Sequence, residues 1–351
     1  MDATTVAVDL AKNVFQLAEA DDQWRIVRTH RLTRGQFERF FANREVRQVV
    51  MEACGSAHHW ARWLGSLGIR AVLLPAQHTK PYVLRNKTDA ADCAALIEAA
   101  RNLQIRPVRV KSIEQQALQA LHRMRSQWMT TRTRRINALR GFCREFGLAV
   151  PVGARTGLAH IAAAVGDAAS AIPSLLRGQM RVVLEEVRLL ERQIAQLERE
   201  LAAIARQAPA CRLLMTIPGI GLITATAMVA AVGTDVSQFR DARHFSSWFG
   251  ITPKEHSSGH NRKLGRISKA GSRYLRTLLT HGARSVLQAA ARAQSRGREC
   301  RGMHQWALAL RQRTHPNKAC CALANKMARI CFATLRSGQP FDAQRACAQP
   351  A

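Results

Sequence analysis

The sequence predicts an α/β domain followed by all-helical regions, and three observations carry that expectation. In the first hundred residues, short β-rich runs alternate with segments of helical period. From about Ser112 onward only the helical period persists. The charge changes along with the pattern. Residues 1–100 hold 13 basic and 11 acidic side chains, residues 101–209 hold 18 and 8, and residues 210–351 hold 22 and 5. A chain of 351 residues is long enough for two or three domains. We divide it into 1–108, 109–208, 209–340 and a tail, 341–351.

Taken in order, Thr4 to Leu10, Val14 to Ala18 and Trp24 to Arg31 read as strands, the last alternating in period two. A helix is expected over Arg34 to Ala42 with Thr33 as its cap. Gln48 to Glu52 is a strand of the buried type, and Gly55-Ser56 leads into a helix that runs through Leu67. Ile69 to Leu74 is a further strand, and Thr88 caps a helix from Asp89 to Arg101. Leu118, Leu121, Met124, Trp128, Ile136, Leu139, Cys143 and Phe146 then mark one face of a long helix crowded with arginines. Pro151 to Ser174 has no clear period. Leu176, Met180, Val183, Val187, Leu190, Ile194, Leu197, Leu201 and Ile204 alternate spacings of four and three, the seam of a coiled coil. An antiparallel hairpin and a dimer both satisfy such a seam. Pro209 ends this helix. The remainder reads as helical to about Ser337, apart from a polar loop from Thr252 to Gly271, and the chain beyond Gly338 reads as poorly ordered.

Composition narrows the function. A formal charge of +29 calls for a polyanionic partner, and nucleic acid fits best because neutralised phosphates release counterions. The nine cysteines show no CxxC pair, which suits reduced thiols in a cytosol and argues against structural zinc. No apolar run approaches the ~20 residues of a membrane span, and Asp2 and Asp9 lie where a basic, apolar leader would be. A cytoplasmic, nucleoid-associated protein is expected.

Four carboxylates stand out in this acid-poor chain. Asp9 and Glu52 each end an apolar strand, where a carboxylate needs a partner or a metal. Asp89 and Asp92, three apart at a helix start, can project from one face. Singly, each reads more readily as a turn or first-turn residue. Together they suit a site for two Mg²⁺ or Mn²⁺ ions in phosphoryl transfer.

The segments Val6-Ala-Val-Asp-Leu-Ala-Lys12, Met51-Glu-Ala-Cys-Gly-Ser56 and Arg85-Asn-Lys-Thr-Asp-Ala-Ala-Asp-Cys-Ala94 resemble the three acidic motifs of the DEDD transposases of bacterial insertion sequences. That resemblance implies a RuvC-like, ribonuclease H-like N-terminal domain with Asp9, Glu52, Asp89 and Asp92 as its metal-binding tetrad. Cys54 departs from the small or hydroxyl residue common at its place, which bears on local packing alone.

Ile217 to Ala225 reads as the turn of a helix-hairpin-helix, in which Gly219 and Gly221 let backbone N–H groups approach phosphates. A glycine turn between core helices is the competing explanation. In Phe249 to Arg276 a Ser-Gly pair lies among cations that include Arg262, Lys263, Arg266, Lys269 and Arg273. A serine in such a loop is more often a phosphate-binding turn than a nucleophile. The stretch is similar to the C-terminal domain of the same transposases, and on that resemblance Ser258 is the candidate nucleophile, with Ser257, Ser268 and Ser272 nearby.

The likeness runs from Val6 to about Asp342 with all motifs in family order. It implies a transposase that recombines donor and target DNA under a structured guide (bridge) RNA and acts as a homo-oligomer, a dimer or tetramer. The rivals are a site-specific DNA invertase of the same superfamily, a metal-only junction-resolving nuclease, and a non-catalytic nucleic-acid binder.

Overall fold

The computed structural model describes residues 4–42, 44–84 and 88–343, in two compact units divided after Ile113. The first unit is built on a five-stranded sheet. Its strands are β1 (Thr5–Leu10), β2 (Val14–Ala20), β3 (Ile26–Thr33), β4 (Gln48–Glu52) and β5 (Arg70–Leu74), in the order β3-β2-β1-β4-β5. The first three strands pair antiparallel, whereas β1, β4 and β5 run parallel. Parallel neighbours need crossovers, and helices supply them. These are α1 (Arg34–Ala42) and α2 (Ala57–Ser66), followed after β5 by the short α3 (Ala76–Thr79), a 3₁₀ turn (Lys80–Tyr82) and α4 (Asp89–Arg101).

Alternation of side chains sends each strand's residues into two layers. Val6, Val8, Val49, Met51 and Leu73 meet Phe37 and Phe41 of α1 and Trp60 and Leu64 of α2. Ala7, Val50, Val72 and Leu74 meet Cys93, Leu96 and Ile97 of α4. Burial on both faces explains why β4 reads as a continuous apolar run. At the edge, β3 keeps its charged residues in water, as an unpaired edge strand should. Thr88 caps α4 as expected, accepting from the Ala91 amide at 3.2 Å. Thr33 behaves differently. Its amide and its hydroxyl both donate to Gln36 Oε1, so Gln36 supplies the cap.

Among the described residues, the second unit is helical apart from one hairpin and its loops. It contains α5 (Ile113–Glu145), α6 (Ala154–Gly166), α7 (Ser174–Gln207), α8 (Pro209–Met215), α9 (Leu222–Val232), α10 (Ala242–Trp248), β6 (Pro253–Glu255), β7 (Leu264–Ile267), α11 (Arg273–Ser295), α12 (Gly302–Arg313) and α13 (Pro316–Ser337). Helices α5 and α7 run antiparallel. Arg125 pairs with Glu198 and Arg132 with Glu191, so a step of seven up one helix matches a step of seven down the other, and Arg135 with Glu186 continues the series. The buried stripe of α7 holds Met180, Leu184, Val187, Ile194, Leu197, Leu201 and Ala205. It departs from the expected seam: Leu184 and Ala205 are buried, Leu176, Val183 and Leu190 are half-buried, and Ile204 turns outward. The stripe broadens because α7 packs on several partners: α5 and α6 at one end, α5 and α9 at the other.

Two further segments differ from the sequence reading. The aperiodic stretch 151–174 contains α6, whose Ala and Gly residues give little amphipathic contrast. The chain past Gly338 is held where it is described: the Phe341 amide donates to Thr216 Oγ1 at 2.9 Å and its ring packs on the core. Residues 344–351 of the expected tail, and Arg85 to Lys87 of the third acidic motif, lie outside the described residues.

A buried polar chain ties α5, α9 and α11. His122 sits between Tyr274 OH and Thr226 Oγ1, each at 3.1 Å, and Thr226 donates onward to the Leu222 carbonyl at 2.7 Å. Because the threonine proton is committed, His122 Nε2–H donates to Thr226 and Nδ1 accepts from Tyr274. Burial, with the Arg125 charge nearby, lowers His122 to about 4. The unfolded chain therefore binds a proton near pH 6.5 that the folded chain refuses. Stability is full above that pH and is lost as pH falls towards 4, by about 3 kcal/mol. We expect the melting temperature to fall between pH 7 and 4.5, and His122→Gln to start lower but lose less over that range; an unchanged slope in thermal melts would contradict this.

Candidate active site

Asp9 and Glu52 are neighbours across two parallel strands. The register pairs Val8 with Met51, so the next residue on each strand, Asp9 and Glu52, lies at the same level and points to the same side. By alternation that side is the one carrying Ala7 and Val50, the layer covered by α4. Asp89 and Asp92 occupy the first turn of α4. The helix is pinned here by Cys93, whose thiol donates to the Gln16 carbonyl at 3.2 Å, and Gln16 is the partner of Asp9 in the β1–β2 ladder. The sheet and α4 thus bring all four acids to one face of the unit.

Burial pushes the Cys93 thiol up to about 12, with the charges of Asp9, Asp92 and Asp89 adding to the rise and a hydrogen bond with the Asp9 backbone opposing it. Cys93 is therefore a neutral anchor. Glu52 Oε2 accepts from Thr79 Oγ1 at 3.3 Å. His58, after the second motif, is buried and accepts from the Lys111 amide at 3.2 Å; burial, with Lys111 and Arg62 nearby, lowers it to about 4. The all-carboxylate donor set has the hard-oxygen chemistry that Mg²⁺ or Mn²⁺ prefers. The side chains share a face without being drawn together: among the described residues no three His, Cys, Asp or Glu side chains are grouped to hold a metal ion.

Ser258 lies on a β-hairpin where a plain loop was expected. Strands β6 and β7 pair antiparallel, and Ser258 and Asn261 close the tip through two backbone hydrogen bonds, 3.3 and 3.1 Å. Gly259, the first central residue, has φ +55°, and His260 follows with negative φ, the pattern of a type II′ turn. The hairpin escaped sequence reading because it buries neither face, so its strands are charged and lack alternation.

The nearby hydroxyls differ in how they are committed. Ser257 Oγ donates to Glu255 Oε1 at 2.8 Å and accepts from the Lys263 amide at 3.1 Å, a strut across the hairpin. That bond, helped by Arg262, holds the Glu255 carboxyl below its usual range. Ser272 caps α11, Ser268 is half-buried, and Tyr274 is engaged with His122. Ser258 is exposed, and its hydroxyl has no hydrogen-bond partner among the described residues. Arg262 pairs with Glu255, while Lys263, Arg266, Lys269 and Arg273 are exposed and without an ion pair among the described residues.

The Ile217–Gly221 turn joins α8 to α9. A Cβ on Gly219 would lie 2.7 Å from Met327 Cε and 2.8 Å from the Gly282 carbonyl oxygen, so Gly219 serves close packing. Gly221 is exposed with open space around it and stands at the N-cap of α9.

A basic helical unit, an α/β unit with four acids on one face, and an exposed serine on a cationic hairpin are compatible with an enzyme acting on nucleic acid. Comparison with known proteins makes the class specific. Residues 6–146 match the DEDD transposase family of IS110 type, and residues 211–298 match the family described as Transposase IS116/IS110/IS902. A probable family 20 transposase of Pseudomonas aeruginosa is 41% identical over 95% of this chain and 97% of its own length. The transposase for insertion sequence element IS1111A of Coxiella burnetii is 37% identical over 97% and 92%. The pilin gene-inverting protein of Moraxella bovis is 32% identical over 37% of this chain and 38% of its own length. The chain belongs to the IS116/IS110/IS902 family of insertion-sequence transposases, enzymes that act on DNA by recombination. No helix among the described residues is long and apolar enough to cross a membrane.

The placement of Cys93 has a direct test. Under native conditions, iodoacetamide at pH 8 should label the partly exposed Cys54 and Cys300 and spare Cys93, as read by peptide mass spectrometry. Labelling of Cys93 as fast as of Cys54 would contradict the packing of α4 on β1 and β2.

Proposed function

We propose that this transposase breaks and rejoins DNA through a covalent bond to Ser258. The observation that carries this reading is the free, exposed hydroxyl at the tip of a cationic hairpin, beside a serine already committed to the fold. Ser258 Oγ would attack a DNA phosphorus and displace the 3′ oxygen. The serine loses its proton, the departing oxygen gains one, and a 5′-phosphoserine link holds the strand. A 3′ hydroxyl on the partner strand then attacks that link, rejoins the DNA and restores the serine. The energy of the broken phosphodiester is kept in the intermediate. Lys263, Arg266, Lys269 and Arg273 would hold the flanking phosphates and offset charge on the phosphoryl oxygens. Gly221 and the first turn of α9, read as a helix-hairpin-helix, would add sequence-neutral backbone contacts.

In the first unit the strand order and the position of the four acids support a ribonuclease H-like, RuvC-type domain. Asp9, Glu52, Asp89 and Asp92 would hold Mg²⁺ or Mn²⁺. Such ions supply Lewis acidity and lower the pKa of a bound hydroxyl. A structured guide RNA and a homo-oligomeric assembly complete the reading, and the net charge of +29 suits polyanionic partners. Inversion of a DNA segment in place is the second reading, favoured by the likeness to the pilin gene-inverting protein. A free element with flanking repeats or circles separates transposition from inversion.

The test is a denaturing gel of full-length protein incubated with a donor plasmid carrying the element, its flanks and their transcript. Wild type should retain labelled DNA through detergent and heat, and Ser258→Ala should abolish the adduct while Ser257→Ala only weakens it. A nucleotide-bearing peptide mapping elsewhere, or free ends with no adduct, would overturn the serine assignment. For the acids, alanine at any of Asp9, Glu52, Asp89 or Asp92 should lower recombination at least about 100-fold and reduce Mn²⁺ binding in calorimetry, with duplex affinity retained. Two such variants with full activity would sink the metal assignment.

A further inference from the structure

Among the described residues, the Ser258 hairpin buries no side chain of its own between Pro253 and Arg266. Residues 253–266 are all exposed, including Leu264 at 50%, so no buried hydrophobic side chain sets its direction. Its orientation is decided at the neck, where the chain leaves α10 and re-enters at α11. There the core holds both ends firmly: Phe249 and Ile251 are buried on the way out, and Leu275 is buried just after the return.

The neck is braced in two ways. Its strands cross so closely that side chains are excluded. A Cβ on Gly250 would run into the Ala270 carbonyl oxygen and one on Gly271 into that of Trp248, and both glycines have positive φ, +70° and +81°. The Lys269 amide donates to the Gly250 carbonyl at 3.0 Å, and the Ser268 amide to that of Thr252 at 2.8 Å. Over this crossing lies Arg276, on the first turns of α11. Its Nη1 lies 3.2 Å from the Phe249 carbonyl oxygen, 3.2 Å from that of Lys269 and 3.4 Å from that of Ala270. One guanidinium nitrogen thus joins the outgoing strand, the returning strand and the following helix. Arg276 is half-buried and faces backbone carbonyls, unlike its exposed neighbours Lys269 and Arg273.

From this geometry we infer that Arg276, with the Gly250–Gly271 crossing, is the positioning device that aims Ser258 at the scissile phosphate. The inference rests on the reading of Ser258 as nucleophile. The physical reason is leverage. At about 3.3 Å per residue, the chain from Gly250 to Ser258 reaches at most roughly 25 Å, so a tilt of about 5° at the neck moves the serine by about 2 Å. Displacements near 1 Å at a reacting atom can lower a rate by about 100-fold. An arginine suits this task because Nη1 is held in a rigid, planar guanidinium, whereas a lysine ammonium is a compact point charge on a flexible stem.

The experiment compares Arg276→Met, Arg276→Lys and Gly271→Ala with wild type and Ser258→Ala, as full-length proteins with the same donor plasmid and transcript. Three quantities are read: the rate of adduct formation at saturating DNA, duplex affinity by filter binding, and the melting temperature. Arg276→Met should slow the adduct by about 10- to 100-fold at saturation, with affinity within about two-fold of wild type. Arg276→Lys should recover part of the rate, and Gly271→Ala should match the Met variant although it keeps every charge. Should Arg276→Met fail to fold, the Lys and Gly271→Ala proteins carry the comparison. A wild-type rate in the folded neck variants, with Ser258→Ala inactive, overturns the inference and leaves the nucleophile standing. So does a loss confined to affinity, which would make Arg276 a phosphate ligand. If Ser258→Ala still forms the adduct, the nucleophile assignment has failed and the inference falls with it.

Discussion

The parallel pairing of β1 with β4 is the constraint on which the N-terminal unit depends. It places Asp9 and Glu52 side by side at the strand ends, facing the α4 layer. A slip of one residue would send Glu52 to the opposite face, among Phe37 and Trp60, where a carboxylate has no partner. The register is held because Val6, Val8, Val49 and Met51 fill one core while Ala7 and Val50 line the other. The four acids therefore share a face as a consequence of packing. Cys93 completes the arrangement by tying α4 to the backbone of β2 opposite Asp9.

The second unit solves a different problem, that of carrying a large positive charge on a stable frame. Its largest core is built from α8 to α13, smaller ones lie along α5, α6, α7 and α9, and three arginines of α5 pair with glutamates of α7. Inside the frame, His122 with Thr226 and Tyr274 forms a satisfied polar chain, whereas Arg329 Nε is buried without a hydrogen-bond partner among the described residues. The hairpin is the exception, an exposed element directed only by its base. That division leaves Lys263, Arg266 and Lys269 of the hairpin region exposed.

Much of this was legible in the residues. The strands and the longer helices α1, α2 and α4 of the first unit fall within a few residues of where the sequence places them, because a sheet buried on both faces writes long apolar runs. The short α3 and the 3₁₀ turn were not expected. The ends of α4 and α7 follow from Thr88 and Pro209. Three features were hidden for physical reasons. Helix α6 is too rich in small residues to show a face, the β6–β7 hairpin buries none, and the stripe of α7 widened because it meets several helices rather than one.

The sequence by itself determined the charge partition, the α/β-then-helical order, and the residue types from which a phosphate-handling site could be made. These are local properties of composition and period. Only the tertiary structure decided that Asp9 and Glu52 are neighbours, that Ser257 is committed while Ser258 is free, and that Gly219 packs while Gly221 opens to solvent. It alone showed Arg276 bracing strands separated from it by up to 27 residues. The reason is the same in each case: register and close approach arise from contacts between distant segments, which no local pattern along the chain encodes.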